Sequence, residues 1–195
     1  WISTGVEVEL QQRQGKLERV HESSTLGLSV SLMVDGKYSS HGTSDLRPGA
    51  LKAFLQRAVD GTRYLEQDLD RTMLPFEEMG SLDPASLDND DAASITKRGP
   101  QERQQAIKEL EDGILAGSGD DLVSATSYLW EVRSESAAVF SNGFQATQAR
   151  THYGQGGMVT LKEPSGKLPE SYSFFNASHF EDVPSVAQVS TDLWT

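Results

Sequence analysis

Residues 26–46, LGLSVSLMVDGKYSSHGTSDL, decide how this chain is read. Leu26, Leu28, Val30, Leu32 and Val34 alternate with Gly27, Ser29 and Ser31. That period of two sends one row of side chains toward a core and the other toward water. Asp35-Gly36 then supplies the two positive-φ positions of a type I′ hairpin turn, and KYSSHGT (37–43) returns as a strand. Upstream, Val6, Val8 and Leu10 alternate with Glu7 and Glu9, and LERVHES (17–23) follows a turn at Gly15. The expectation is an antiparallel meander of four strands.

After Asp45 the period changes. Pro48 suits a first helical turn, where its missing N–H would be unpaired anyway. Leu51, Phe54, Leu55, Ala58, Val59 and Leu65 then make one face of a helix over 48–65, able to cover the meander. From Asp60 to Ala93 ten acidic residues stand against Arg63 and Arg71, and the stretch holds Pro75, Pro84 and LDNDD (87–91). It reads as a solvated connection. A calcium loop would need a glycine at the bend and a distal glutamate, and LDNDDAAS has neither.

Pro100 opens a second helix with Ile107, Leu110 and Ile114 as its stripe and Gly117 at its end. Five β-like segments follow: LVSATSYLWEVRS, SAAVFSNG, FQATQARTHY, GGMVTLKE and KLPESYSFFNAS. Asn142-Gly143 and Ser165-Gly166 are their turn signals, and GQGG (154–157) reads as a hairpin loop, since no Lys-Ser/Thr or helix follows to make it a phosphate loop. PSVAQVSTDLW spaces Val186, Val189 and Leu193 as a helix face without a capping glycine, so the domain is expected to continue. The predicted fold class is α+β: an antiparallel β-meander covered by a helix, followed by a second β-rich unit with a helix. The expected divisions are an amino-terminal domain over 1–74, an acidic linker over 75–98 and a middle β-rich domain over 99–195, truncated at its C-terminal end.

With 195 residues, 36% hydrophobic and 24% charged, the composition is that of a folded domain or two small ones. A net charge of −12 argues against a nucleic-acid surface, which needs a clustered basic footprint. No apolar run approaches the roughly 18 residues of a membrane span. The lack of cysteine excludes thiolate chemistry within the chain and fits a cytoplasmic location.

His41, Ser44 and Asp45 lie within five positions, and His-Gly-Thr also opens the histidine segment of subtilisin-type proteases. A triad must converge from different directions, however, and on a strand His41 and Ser44 project from opposite faces. No nucleophile elbow accompanies them. The segment reads instead as a strand end handing over to a helix, with Thr43, Ser44 or Asp45 accepting backbone N–H groups. His21, His152 and His179 have no ligand spacing around them; His179 and Glu181 form H-x-E without the paired cysteines of a zinc deaminase. Tyr128, Trp130, Phe140, Phe144, Tyr172, Phe174 and Phe175 fall at strand spacing and read as core or sheet-face residues. No catalytic, cofactor or metal residue is assigned.

The order of segments resembles the TldD/PmbA family, also called the DNA gyrase modulator family. The residues that carry the resemblance are VEVELQQRQGKLERVHESSTLGLSVSLMVDGKYSSHGTSDL with the helix after it, EVRSESAAVFSNGFQA, and YSFFNASHFEDVPSVAQVSTD. It implies zinc metalloproteases more than twice this length, in which this chain is the amino-terminal and middle part. In TldD-type members the HExxxH metal motif lies beyond this segment, so zinc is expected only there; PmbA-type members lack the motif and serve as a partner subunit. The resemblance further implies a homo- or hetero-dimer with a family paralogue, and a peptide or unfolded protein as substrate, with no nucleic acid or membrane partner. The expected role of this chain is non-catalytic: enclosing substrate and forming the dimer. The alternative from the residues is a stand-alone β-rich binding or scaffold module.

Overall fold

The computed structural model describes residues 1–80 and 87–194. The part of the acidic stretch around Pro84 lies outside the described residues. The fold is α+β. Strands β1 (Ile2–Arg13), β2 (Lys16–Val34) and β3 (Lys37–Thr43) precede helix α1 (Pro48–Thr62). Helices α2 (Ala92–Lys97) and α3 (Pro100–Ala116) follow, then β4 (Leu122–Val139), β5 (Gln145–Leu161), β6 (Glu170–Ala177) and α4 (Val186–Trp194). The six strands form one sheet in the order β3-β2-β1-β4-β5-β6. Two meanders of three strands are thus joined through their first strands.

The first meander has three strands rather than the four expected. LERVHES and LGLSVSLMV are both within β2, which runs for 19 residues without a break. A type I′ hairpin turn needs backbone at positive φ, and between Arg13 and Lys37 only Gln14, Gly15, Asp35 and Gly36 supply it. Both members of each pair are positive, as a type I′ turn requires. Ser23, Ser24 and Thr25 carry no such residue and stay extended. The five later segments fuse into three strands for the same reason. At Asn142-Gly143 the chain does turn: Gly143 has φ +93°, and the Phe140 N–H donates to the Phe144 carbonyl at 2.9 Å.

GQGG is not a loop. Gly154, Gly156 and Gly157 lie inside β5, where bulky neighbours occupy the space of their missing side chains. A Cβ on Gly154 would overlap the Trp130 indole, one on Gly156 the Phe174 ring and the Ser173 carbonyl, and one on Gly157 the end of Ile114. Glycine in a strand marks such close approach.

Contacts within the chain define two compact units. Unit 1 comprises Trp1–Gly5, Thr25–Asp88 and Ser134–Ala149; unit 2 comprises Val6–Ser24, Asn89–Arg133 and Arg150–Thr195. In unit 1, β2 and β3 pair antiparallel from Leu28 opposite Thr43 to Val34 opposite Lys37, and α1 packs on β3. Only Ala58 and Thr62 of the helix are buried, and Leu65, which the sequence placed on its face, lies past its end and 45% exposed. The segment after α1 is tied back: the Asp68 N–H donates to the Gly36 carbonyl at 2.9 Å, and Arg71 stacks over the Tyr38 ring at 3.9 Å.

Unit 2 holds the main core. Leu110 and Ile114 of α3, Ala125, Val159, and Val189 and Leu193 of α4 form one cluster; Leu10, Ile107 and Leu129 form another. The stripe of α3 is the one read from its spacing, with Glu111 buried beside it. Glu111 Oε2 accepts from Gln12 Nε2 at 2.8 Å and from the Gly15 N–H at 2.9 Å, which pins the first hairpin turn to α3.

The end of the acidic stretch is docked in unit 2. Asp90 makes a two-pronged pair with Arg133, each bond 2.9 Å, and Asp91 caps α2 by accepting from the Ser94 N–H. Helix α2 itself was not expected. Six residues show too little periodicity to be read, and here the cap and the docking of Ile95 hold it.

Candidate functional site

Along β5, Gly157 and Val159 face the helices, since Ile114 and Leu193 border the one and the core cluster holds the other. Alternation therefore puts Gly154, Gly156 and Met158 on the opposite face. Opposite Gly156 and Met158 across the β5–β6 ladder stand Phe174 and Tyr172. Tyr128 and Trp130 of β4 complete the group: Phe174 lies 5.7 Å from Tyr128, 6.1 Å from Trp130 and 6.1 Å from Tyr172 between ring centroids. These separations are those of interacting aromatic rings.

The four rings rest on the glycine furrow of β5 instead of entering the core. Tyr172 is 72% exposed and Phe174 43%. Beside Tyr128 and Trp130 a depression of about 220 Å³ opens, with Glu9 and Gln11 of β1 and Arg19 of β2 on its other side. Arg19 reaches Glu9 at 3.2 Å, both side chains being well exposed. The arrangement combines tilted aromatic rings, one carboxylate, one amide and one exposed guanidinium paired to the carboxylate.

A second polar centre of unit 2 is closed. Glu131 is 2% exposed and takes Arg98 on one oxygen and Arg103 on the other, at 2.5 and 2.8 Å. Arg98 also stacks over Phe180 at 4.2 Å. Burial pushes the Asp91 carboxyl up, but the Phe180 N–H, the Ser94 hydroxyl and N–H, and the nearby His179 outweigh it and hold it below its ordinary 3.8. Burial, followed by the charges of Asp91 and Glu131, pushes the Tyr153 hydroxyl up to about 12. Every charged group here is spent on a neighbour, so the centre fastens α2, α3 and the turn at Phe180–Asp182 to the sheet.

His41, Ser44 and Asp45 do not converge. His41 Nε2 is 2.8 Å from Ser39 Oγ, with the ring edge-on to Phe54; Ser39 in turn meets Thr62 Oγ1 at 2.5 Å. Thr62 donates to the Ala58 carbonyl, so the hydroxyl chain runs from His41 through Ser39 into α1. Ser44 is exposed at the bend. Asp45 accepts from the Arg47 N–H and grips the Arg47 side chain, while Thr43 Oγ1 accepts from the Asp45 N–H. That ion pair holds the Asp45 carboxyl below its ordinary range. His21 and His152 are exposed on β2 and β5, and His179 precedes the Phe180–Asp182 turn with Glu181 exposed inside it. Among the described residues no three His, Asp or Glu side chains gather where they could hold a metal ion. Phe175 packs against the core, and Phe140 and Phe144 stack on each other in unit 1. The aromatic face was legible only as strand-spaced rings; the glycines between them were the missed signal.

The six-stranded α+β fold recurs in solved structures. A candidate modulator of DNA gyrase from Bacteroides thetaiotaomicron VPI-5482 matches with TM-score 0.87 and 23% identity over 98% of this chain and 44% of its own. One from Thermotoga maritima MSB8 gives 0.78 and 11%, covering 99% of this chain and 42% of its own. TldE from Thermococcus kodakarensis gives 0.70 and 11%, with the same coverages of 99% and 42%. At these identities the likeness is one of fold. In sequence, the metalloprotease PmbA of Escherichia coli O157:H7 is 28% identical over 116 residues, 56% of this chain and 26% of that protein. No family model matches the sequence. The likeness to PmbA agrees with the resemblance of the ordered segments to the TldD/PmbA family. The chain spans less than half the length of each of these four relatives.

Proposed function

We propose that this chain is the non-catalytic amino-terminal and middle part of a TldD/PmbA-type peptidase or of its partner subunit. Its work is to help enclose a peptide or unfolded-protein substrate and to form the homo- or heterodimer with a family paralogue. The observation that carries the reading is the sequence likeness to a protein named as a metalloprotease, joined to a shared fold along nearly the whole chain. The exposed aromatic face supports it, because apolar patches of this kind mark surfaces built for contact.

The chemistry of such a peptidase is attack of a metal-activated water on a peptide carbonyl. This sequence contains no HExxxH, so in this reading zinc belongs to another part of the protein or to the paralogue. The cytoplasm is the proposed location, and no described helix is long and apolar enough to cross a membrane.

The test mixes the purified chain with a TldD-type subunit and an unfolded peptide. Cleavage that needs both, and stops with a chelator, is the expected result. Chelator-sensitive cleavage by this chain alone overturns the non-catalytic role. A chain that neither binds the subunit nor changes its cleavage is a stand-alone binding module.

A further inference from the structure

We propose that the depression between Glu9 and the Tyr128 and Trp130 rings seats a lysine or arginine side chain of an extended polypeptide, whose flanking apolar side chains lie along Phe174 and Tyr172. The proposal rests on the peptide-handling reading above and names the chemistry of the segment handled. Three observations carry it.

The first is that the rings are held at the surface by construction. Gly154 and Gly156 leave room for Trp130 and Phe174 to lie on β5, and any side chain there would displace them. The result is a cluster of mutually tilted rings on this face of the sheet, with Tyr172 and Phe174 exposed. Tryptophan and tyrosine faces attract cations through the ring quadrupole.

The second is the carboxylate. Glu9 lines the same depression as Tyr128 and Trp130, so a cation that takes the place of Arg19 there meets both aromatic rings and a negative charge. Gln11 adds an amide oxygen able to accept from an ammonium or guanidinium.

The third is Arg19. Its guanidinium already pairs with Glu9 at the edge of this depression, with 59% of its side chain exposed. The chain's own arginine shows that a guanidinium suits the site. An exposed pair of this kind is weakly held, so an incoming basic side chain can take its place. The net charge of −12 favours the approach of cationic peptides over acidic ones.

The experiment uses the purified chain and fluorescein-labelled seven-residue peptides that differ at one central position, arginine, lysine, citrulline or glutamate, flanked by phenylalanine and serine. Fluorescence anisotropy reads binding. The arginine and lysine peptides are expected to bind at least about tenfold tighter than citrulline or glutamate, a ratio set by charge and cation–π contact. Glu9→Gln and Trp130→Leu each abolish most of that preference. Arg19→Gln raises affinity by removing the internal competitor. Glu109→Gln, an equal change of charge on α3, leaves affinity unchanged and separates the local carboxylate from the overall field. Equal binding of the arginine and glutamate peptides, or a preference untouched by Glu9→Gln, overturns the proposal; so does the absence of binding by any peptide.

The parent reading fails separately. If Glu9→Gln loses peptide binding but the native chain never supports cleavage by a TldD-type subunit, the seat stands and the peptidase role falls. If cleavage is supported and Glu9→Gln changes neither binding nor cleavage, the role stands and the seat falls.

Discussion

Helix α1 in unit 1 and helices α3 and α4 in unit 2 do the same job by different means. Both cover strands, yet of the buried apolar side chains among the described residues only Ala58 and Ala138 belong to unit 1. In unit 2, Ile107, Leu110, Ile114, Val159 and Val189 are fully excluded from water. Unit 1 fastens its helix through a chain of hydroxyls from His41 to Thr62 and leaves Leu55, Leu65, Leu69 and Phe76 at least 40% exposed. The difference teaches that stability is concentrated in one unit, since burial of apolar area is the main favourable term. The other keeps apolar surface open to contact.

The largest blow to that contrast comes from Glu131→Ala. It strips Arg98 and Arg103 of a partner in the interior of unit 2 and is expected to cost about 3–5 kcal/mol in urea unfolding. A cost below about 1 kcal/mol would mean that the pair is solvated like a surface bridge. Next comes a matched pair of truncations. Leu110→Ala is expected to cost about 2–5 kcal/mol, by lost burial and the cavity left behind. Leu55→Ala, on a side chain 40% exposed, is expected to cost less than about 1 kcal/mol. Equal costs would erase the distinction between the two covers.

Gly154→Val is expected to cost about 1–3 kcal/mol by overpacking against the indole. The accompanying sign is a red-shifted Trp130 emission as the ring is pushed into water; unchanged emission would mean that β5 yields and the ring stays. Asp91 tests the acid side. Its folded-state carboxyl is depressed, so the stability it lends is full above about pH 4 and is lost as pH falls through the folded value. Asp91→Asn is therefore expected to flatten the fall in stability below about pH 4; a variant with an unchanged acid slope would show that other carboxylates carry it. The smallest effect is expected from His41→Ala, under about 1 kcal/mol in the same unfolding measurement. Under the proposed function, any cleavage the chain supports is expected to stay intact, and its loss without unfolding would give His41 a part in the chemistry.

What the sequence made legible was what repeats locally. Alternation in 26–34, the Asp35-Gly36 turn, the α3 stripe of Ile107, Leu110 and Ile114, and the stop at Gly117 all stand in the structure. Strand ends were less legible, because continuity of β2 depends on the absence of a turn residue rather than on any positive mark. GQGG misled for a physical reason: glycine signals a bend when read alone, and close approach when a neighbour's ring needs the space. That neighbour, Trp130, is 24 positions away from Gly154 and belongs to another strand. The same non-locality hid the aromatic face, and it hid the docking of LDNDD on Arg133 and Thr151. Spacing read His41 as part of a strand end, whereas its contacts with Ser39 and the Phe54 ring required the fold.

The place of β1 has a consequence for how the chain reaches this state. It is made first, yet one of its two edges pairs with β4. Its side chains wait for partners far along the chain, 99 residues on from Gln12 to Glu111 and 113 from Arg13 to Thr126. Contacts of such separation slow folding, and a strand edge left open meanwhile can pair with the wrong chain. The acidic run between Asp60 and Ala93 lies between β3 and β4 in the sequence, so it is made before β1 meets that partner. The stretch that looked like a mere connection thus sets part of the interval during which that edge of β1 stays open.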